Sequence, residues 1–272
     1  MLVRNEEWTI RWALWSIAEF CDVIYVFDNR STDKTPQIIE QETRHNQKII
    51  YQQVEHPRES HYCLEPLAGT PSWVFAVDGD EIYDAQKLAT LRPRILKGEF
   101  DDNYKLTGNC IHVESLDVKN YRVRGYACPP AKAVTKLYNF NAIEYWRNVP
   151  NERLHDGEIK FRDGYTDDSR LHFWHEYDWE ATPMRCLHLC FMNRSSHDDP
   201  TVKARANISD VASANNKKRS LWKRLKNLTN GQRKISAWKE DQYRKGELQE
   251  KDLSPFVYPT AAPFLDKLNS DS

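Results

Sequence analysis

Three carboxylates follow one short apolar run: Trp73-Val74-Phe75-Ala76-Val77 leads straight into Asp78-Gly79-Asp80-Glu81. A run this short, rich in β-branched and aromatic residues, predicts a buried strand. Its carboxyl end then delivers Asp78, Asp80 and Glu81 to the rim of a sheet, where ligands bind in open α/β folds. Acids gathered there repel one another unless a cation sits among them, and a hard divalent ion such as Mg²⁺ or Mn²⁺ suits oxygen ligands. The alternative is an acidic turn that caps a helix, and a bare Asp-x-Asp is a common sequence.

Two earlier segments have the same character. Val26-Phe27 runs into Asp28-Asn29-Arg30-Ser31-Thr32-Asp33-Lys34-Thr35. A carboxylate at that strand end can accept hydrogen bonds from a base or a ribose hydroxyl. An Asx-turn followed by an N-cap is the alternative, and both hold if Asp33 caps while Asp28 binds. The third segment is Leu2-Val3-Arg4-Asn5-Glu6-Glu7, at the end of the first apolar stub. That stub is short: either the start is truncated or the strand is minimal.

The elements that position these segments follow from periodicity. Helices are predicted over 6–20, over 33–44 with Thr32 or Asp33 as N-cap and Pro36 in the first turn, and over 85–96. Strands are predicted over 1–3, 23–27, 48–54 and 73–77. Their alternation argues for βαβ units and a largely parallel sheet. From 104 to 138 shorter strands (105–107, 111–113, 121–123 and 133–138) suit an antiparallel extension, and 185–192 is a further apolar stretch. Beyond Asp198 a basic run, Lys217-Lys218-Arg219 with Lys223, Arg224 and Lys226, surrounds Leu221, Trp222, Leu225 and Leu228. It reads as an amphipathic helix, either docked and solvated or in peripheral contact with an anionic membrane through 217–228. The last twenty residues read as an extended tail.

Bulk properties narrow the classes. The 272 residues, 40% hydrophobic and 29% charged, suit one large α/β domain with an appendage. A net charge of −1 provides no field for nucleic acid, and none is expected as a partner. No secretory signal or membrane-spanning run is visible, and the six cysteines form no Cys-x-x-Cys pair, so free thiols in a cytoplasmic protein are expected. Cys186-Leu187-His188-Leu189-Cys190 alternates as soft-metal ligands on one strand face would, although zinc motifs use other spacings.

Taken together, Arg4-Asn5-Glu6-Glu7, Asp28 to Thr35 and Asp78-Gly79-Asp80-Glu81 resemble, in order and spacing, the family 2 glycosyltransferases of the GT-A fold. The resemblance covers roughly the first hundred residues. It implies a Rossmann-like, mostly parallel central sheet flanked by helices, to which the later short strands add a small antiparallel extension and the basic run a helical C-terminal appendage. The implied domain is 1–198, with a nucleotide-sugar half at about 1–100 and an acceptor half at about 101–198. Residues 199–272 form the appendage.

The same resemblance implies roles. Asn5, Glu6, Asp28, Asp78 and Glu81 would serve the nucleotide sugar, with Asp78 facing the ribose or a metal-bound water. Asp80 would hold Mn²⁺ or Mg²⁺ against the diphosphate. Glu152, in Asn151-Glu152-Arg153-Leu154, is the implied general base, with Asp156, Glu176 and Asp178 as rivals and an ion pair to Arg147 or Arg153 as its structural alternative. His188 is the implied late metal ligand, with His172 and His175 competing and Arg194 near the diphosphate. The expected activity is transfer of a sugar from a UDP- or GDP-sugar to a glycan, lipid-linked or protein acceptor, with inversion. The alternatives are a sugar-phosphate nucleotidyltransferase, which usually carries a Gly-rich basic loop after the first strand, and a non-catalytic carbohydrate-binding protein.

Overall fold

The computed structural model describes residues 1–149, 157–192 and 242–257. In chain order the elements are β1 (Leu2–Val3), α1 (Ile10–Ile17), β2 (Ile24–Asp28), α2 (Thr35–His45), β3 (Ile49–Gln53), α3 (Glu59–Tyr62), β4 (Trp73–Phe75), β5 (Glu81–Tyr83) and α4 (Ala85–Leu96). There follow β6 (Lys105–Thr107), β7 (Asn109–Asp117), β8 (Arg122–Cys128), β9 (Leu137–Asn139), β10 (Ile143–Arg147), β11 (Glu158–Phe161), β12 (Arg170–His172), β13 (Arg185–His188) and β14 (Leu248–Asp252). The protein is mixed α/β. No described helix is long and apolar enough to cross a membrane.

The amino-terminal half is parallel where the site is built. β1, β2 and β3 pair in parallel, Leu2 beside Phe27 and Val3 beside Asp28. Beside β1, Asp78 forms a single parallel bridge to Leu2. That bridge joins this sheet to a second one of order β12-β6-β9-β4. The 73–77 run therefore differs from the expected fourth parallel strand. It is regular only to Phe75, because its edge is taken by β9, with which it pairs antiparallel from Trp73 to Phe75. A cavity of about 420 Å³ lies between these two sheets, lined by apolar residues such as Phe20, Tyr25, Trp73 and Val74, with Asp78 at its edge.

A further sheet, β14-β8-β7-β13-β5, carries the second half. β13 is its pivot, parallel to β7 and antiparallel to β5. Antiparallel pairing is thus more extensive than a small extension. Residues 242–257, inside the stretch expected as an appendage, add β14 to the edge of β8 and bury Phe256 completely.

The helices are set by their apolar stripes. In α1, Ile10, Leu14 and Ile17 face one core, while Trp12 and Ala13 face a second that contains Trp179, Leu187 and Phe256. The Trp12 indole donates to the Phe256 carbonyl at 2.7 Å, which ties the carboxyl-terminal segment to the first helix. α1 begins at Ile10 rather than Glu6, and a single turn precedes it in which the Glu6 carbonyl accepts Thr9 and Ile10 N–H at 3.0 and 2.9 Å. α4 buries Leu88, Leu91 and Ile95 and is capped by Asp84, whose carboxylate accepts from Gln86 and Lys87 N–H at 3.1 Å. α2 starts at Thr35 with Pro36 in its first turn. The Asp33 carboxylate accepts the Thr35 N–H one residue ahead of the cap position, Lys34.

Candidate active site

The loops after β1 and β2 are laced together. Asn5, at φ 55°, accepts the Thr32 N–H at 2.8 Å and donates its own N–H to Ser31 Oγ at 2.9 Å. Glu6 N–H donates to Thr35 Oγ1 at 2.8 Å, Glu7 N–H to Asp33 at 3.1 Å, and the Glu7 carboxylate accepts Lys34 N–H at 3.0 Å. Each motif is thus the other's hydrogen-bond complement. The left-handed backbone at Asn5 suits Asn better than most side chains.

Asp28 is fully buried at the end of β2. One carboxylate oxygen accepts Ser31 N–H at 3.0 Å and Ser31 Oγ–H at 2.5 Å; the other takes Tyr51 OH at 3.3 Å and Gln53 at 3.5 Å. The Asx-turn reading of Asp28 is realised on the first oxygen. The two long contacts on the second are weak enough for a ligand donor to replace. Burial, then the Asp28 charge, pushes the Tyr51 hydroxyl up to about 12.

Asp78 stands on the far side of β1. Two inter-strand spacings put it about 10 Å from the β2 chain. Gly79 lets the acidic turn close on that edge: a Cβ there would lie 2.8 Å from Glu6 Cγ and 3.2 Å from Val3 Cγ1. Asp80 is 3% exposed and its carbonyl accepts Leu189 N–H at 2.8 Å, which fixes it against the end of β13. Glu81 is fully buried beneath them rather than on an open wall. Tyr83 OH donates to it at 2.9 Å, and its other carboxylate oxygen has no hydrogen-bond partner. Burial, then the charge of Asp78, raises the Glu81 carboxyl to about 8 against the pull of buried Lys136.

His188 meets this cluster through the sheet. Register places it opposite Glu81 on β5 and beside His112 on β7. Its Nε2 is 3.8 Å from an Asp80 carboxylate oxygen. Two donors about 2.1 Å from one ion and 90–120° apart lie about 3.0–3.6 Å from each other, so the pair is spaced close to what a shared cation needs. The two donors, a carboxylate and an imidazole, fit a divalent ion that accepts both, as Mn²⁺ does.

Other expected residues are not brought here. Cys186 points at Cys110 inside the core, and Cys190 lies past the end of β13. The alternating Cys-His-Cys face therefore does not form. Among the described residues, the group of three whose ligating atoms do converge is His112, His188 and Cys190, all within 4.8 Å. His172 stacks on Trp174 at 4.5 Å on β12, the outer strand of the other sheet. Asp178 is committed to a turn, accepting Glu180 and Ala181 N–H at 2.9 and 2.8 Å. Glu176 is exposed. Glu152, Asp156, Arg194 and the basic 217–228 segment lie outside the described residues.

Sequence reasoning missed His112, Lys136 and Tyr243. Ile111-His112-Val113 read only as strand, although a histidine in a buried run is itself a signal that its ring nitrogens need partners. Tyr243 stacks on His112 at 4.3 Å and meets His188 edge-on at 5.2 Å. Nothing local in the sequence marks it.

No protein-family model and no curated protein matches the chain. Among solved structures it is similar to S. aureus TarS. Against TarS 1–349, with or without UDP, the TM-score is 0.38 at 20% identity, over 54% of this chain and 48% of that one. Against a second, longer TarS structure the TM-score is 0.37 at 19% identity, over 54% of this chain and 29% of that one. The chain thus spans less than half the length of these neighbours. Likeness at this level is too low to carry function, which rests on the geometry above.

Proposed function

We propose that this chain is a metal-dependent glycosyltransferase of family 2 type, moving a sugar from a nucleotide-sugar donor to an acceptor hydroxyl with inversion. The observation that carries the reading is the placement of Asp28 and Asp78 on either side of β1, Asp28 at the carboxyl end of parallel β2 and Asp78 in a parallel bridge to Leu2, with Asp80 and His188 3.8 Å apart. In α/β sheets that rim is the ligand crevice, and this one presents acceptors to ribose and base on one side and a cation pair on the other.

The roles follow from position. Asp28 exchanges its long contacts for a donor from the nucleoside. Asn5 and Glu6 hold the β1 loop in shape beside it. Asp78 faces the ribose, and Asp80 with His188 holds Mn²⁺ or Mg²⁺. Glu81, protonated and buried, supports the turn from below. The ion, when bound, offsets charge that develops on the leaving diphosphate, which favours the transition state over the ground state. Glu152 is the proposed base toward a glycan, lipid-linked or protein hydroxyl.

The test is a panel of UDP-, GDP- and CDP-sugars, each with Mn²⁺ or with EDTA, read by thermal shift and by product. One donor raising the melting temperature only with metal, and releasing a nucleoside diphosphate, supports the reading. Release of pyrophosphate would assign sugar-phosphate nucleotidyl transfer instead, and glycan binding without donor turnover a carbohydrate-binding protein.

A further inference from the structure

His112 is completely buried on β7, next to His188 in the sheet register, yet no step above uses it. Its Nε2 is 2.8 Å from the Lys132 carbonyl oxygen, and its Nδ1 is 2.8 Å from His188 Nδ1. These two contacts are directional. A carbonyl oxygen only accepts, so His112 Nε2 carries a hydrogen and donates. In a neutral imidazole the other nitrogen is then a lone pair, so His112 Nδ1 accepts. With His112 neutral, His188 Nδ1 is the donor. A neutral His188 with hydrogen on Nδ1 has its lone pair on Nε2, the nitrogen 3.8 Å from Asp80.

We infer that His112 is a positioning residue: through the Lys132 carbonyl it fixes His188 in the tautomer whose Nε2 presents a lone pair toward Asp80, ready to ligate a cation. The inference rests on the reading of Asp80 and His188 as a metal pair. It adds the device that orients the imidazole, since a ligating histidine works best when its second nitrogen is held by a hydrogen-bonding partner. Tyr243 completes it by stacking flat on His112, with an interplanar angle of 18°, while standing edge-on to His188 at 83°. Both rings are thereby held in the planes their hydrogen bond needs.

The test compares Mn²⁺ affinity, measured by electron paramagnetic resonance of the free ion without any sugar nucleotide, in the wild type and four variants. His112→Phe keeps the stack with Tyr243 and removes both ring nitrogens, and about 10–100-fold weaker Mn²⁺ binding is expected. His112→Gln keeps a donor and an acceptor on adjacent atoms and is expected to bind within about threefold of wild type. His188→Ala and Asp80→Ala lose the ion. Nitrogen-15 spectra of the wild type, which need no variant to fold, are expected to show both rings neutral, His112 protonated at Nε2 and His188 at Nδ1.

Wild-type affinity in His112→Phe with loss in His188→Ala would overturn the relay and leave the metal pair standing. Unchanged affinity in His188→Ala and Asp80→Ala would overturn the metal pair and the relay with it. Stoichiometric zinc in the purified protein, lost in both His112→Phe and Cys190→Ser, would show the three side chains as ligands and overturn the relay directly.

Discussion

Tyr243 lies flat against His112, with ring centroids 4.3 Å apart, although the two residues are far apart in the sequence. The carboxyl-terminal stretch is therefore part of the site's wall. Burial, followed by the charges of Cys190 and the site acids, drives the Tyr243 hydroxyl well above the tyrosine range, which places the ring inside the field of the acid cluster.

Tyr243→Ala removes a large ring from a buried contact. We expect a loss of about 3–5 kcal/mol in urea unfolding, the usual cost of an aromatic-to-alanine truncation in a core. Tyr243→Phe keeps both ring contacts and is expected to cost less than half as much. Equal losses in the two variants would mean that the hydroxyl, not the stack, holds the segment.

Asp84 and Arg185 form the most buried ion pair among the described residues, at 2.9 Å with side chains 2% and 5% exposed. Asp84 also caps α4, and the Arg185 guanidinium packs over Trp179 at 5.2 Å while donating to the Trp179 carbonyl at 2.9 Å. Asp84→Ala uncaps a helix and leaves the buried Arg185 with exposed Glu180, at 2.7 Å, as its remaining carboxylate, so about 2–4 kcal/mol of destabilisation is expected by equilibrium unfolding. A cost below about 1 kcal/mol would place the pair with ordinary surface ion pairs.

Glu81 supplies a pH dependence whose sign is fixed. In metal-free protein its folded-state carboxyl titrates at about 8, against 4.5 for the ordinary group, because burial and then the Asp78 charge disfavour ionisation. Between those values the folded chain holds a proton that the unfolded chain has released. Its contribution is therefore complete below pH 4.5 and falls as pH rises through about 8, by up to about 1.4 kcal/mol per unit. Urea unfolding in EDTA should show this slope in the wild type and not in Glu81→Gln. Parallel profiles for the two proteins would remove Glu81 as its source.

Gly79 has space for hydrogen only. A methyl there would sit 2.8 Å from Glu6 Cγ, so Gly79→Ala must displace the buried Glu6 side chain or the acidic turn. We expect about 1–3 kcal/mol of overpacking cost and weaker Mn²⁺ binding, read by unfolding and by ion titration of one preparation. Unchanged metal affinity would show that Asp80 is placed from the β13 side alone.

Much of this was legible in the sequence, and for identifiable reasons. Residues 85–96 form a helix because Asp84 caps it and Leu88, Leu91 and Ile95 repeat at helical spacing. The three acidic strand ends announce themselves because apolar runs stop abruptly at polar turns. What the sequence hides is held by long-range pairing. The 73–77 run divides because β9, much later in the chain, takes the edge of its first three residues, while only Asp78 bridges β1. His112 reaches the site through strand register, Lys136 through its carbonyl's hydrogen bond from Ala76 N–H, and Tyr243 on a returning segment, none of which a local pattern encodes. The polar residues of the first two motifs, read as ligand contacts, turn out to spend many of their hydrogen bonds on each other. Capping and binding draw on the same residue types, so the sequence alone cannot separate them.

The central claim is that Asp80 holds a cation against a departing nucleoside diphosphate. The direct measurement is nucleoside diphosphate release from the donor selected by the thermal-shift panel, with Mn²⁺, comparing wild type with Asp80→Ala. The account predicts release that depends on Mn²⁺ in the wild type and falls by at least about 100-fold in the variant, a loss of about 2.7 kcal/mol in transition-state stabilisation. Equal release by the two proteins, or release that persists in EDTA, would contradict it.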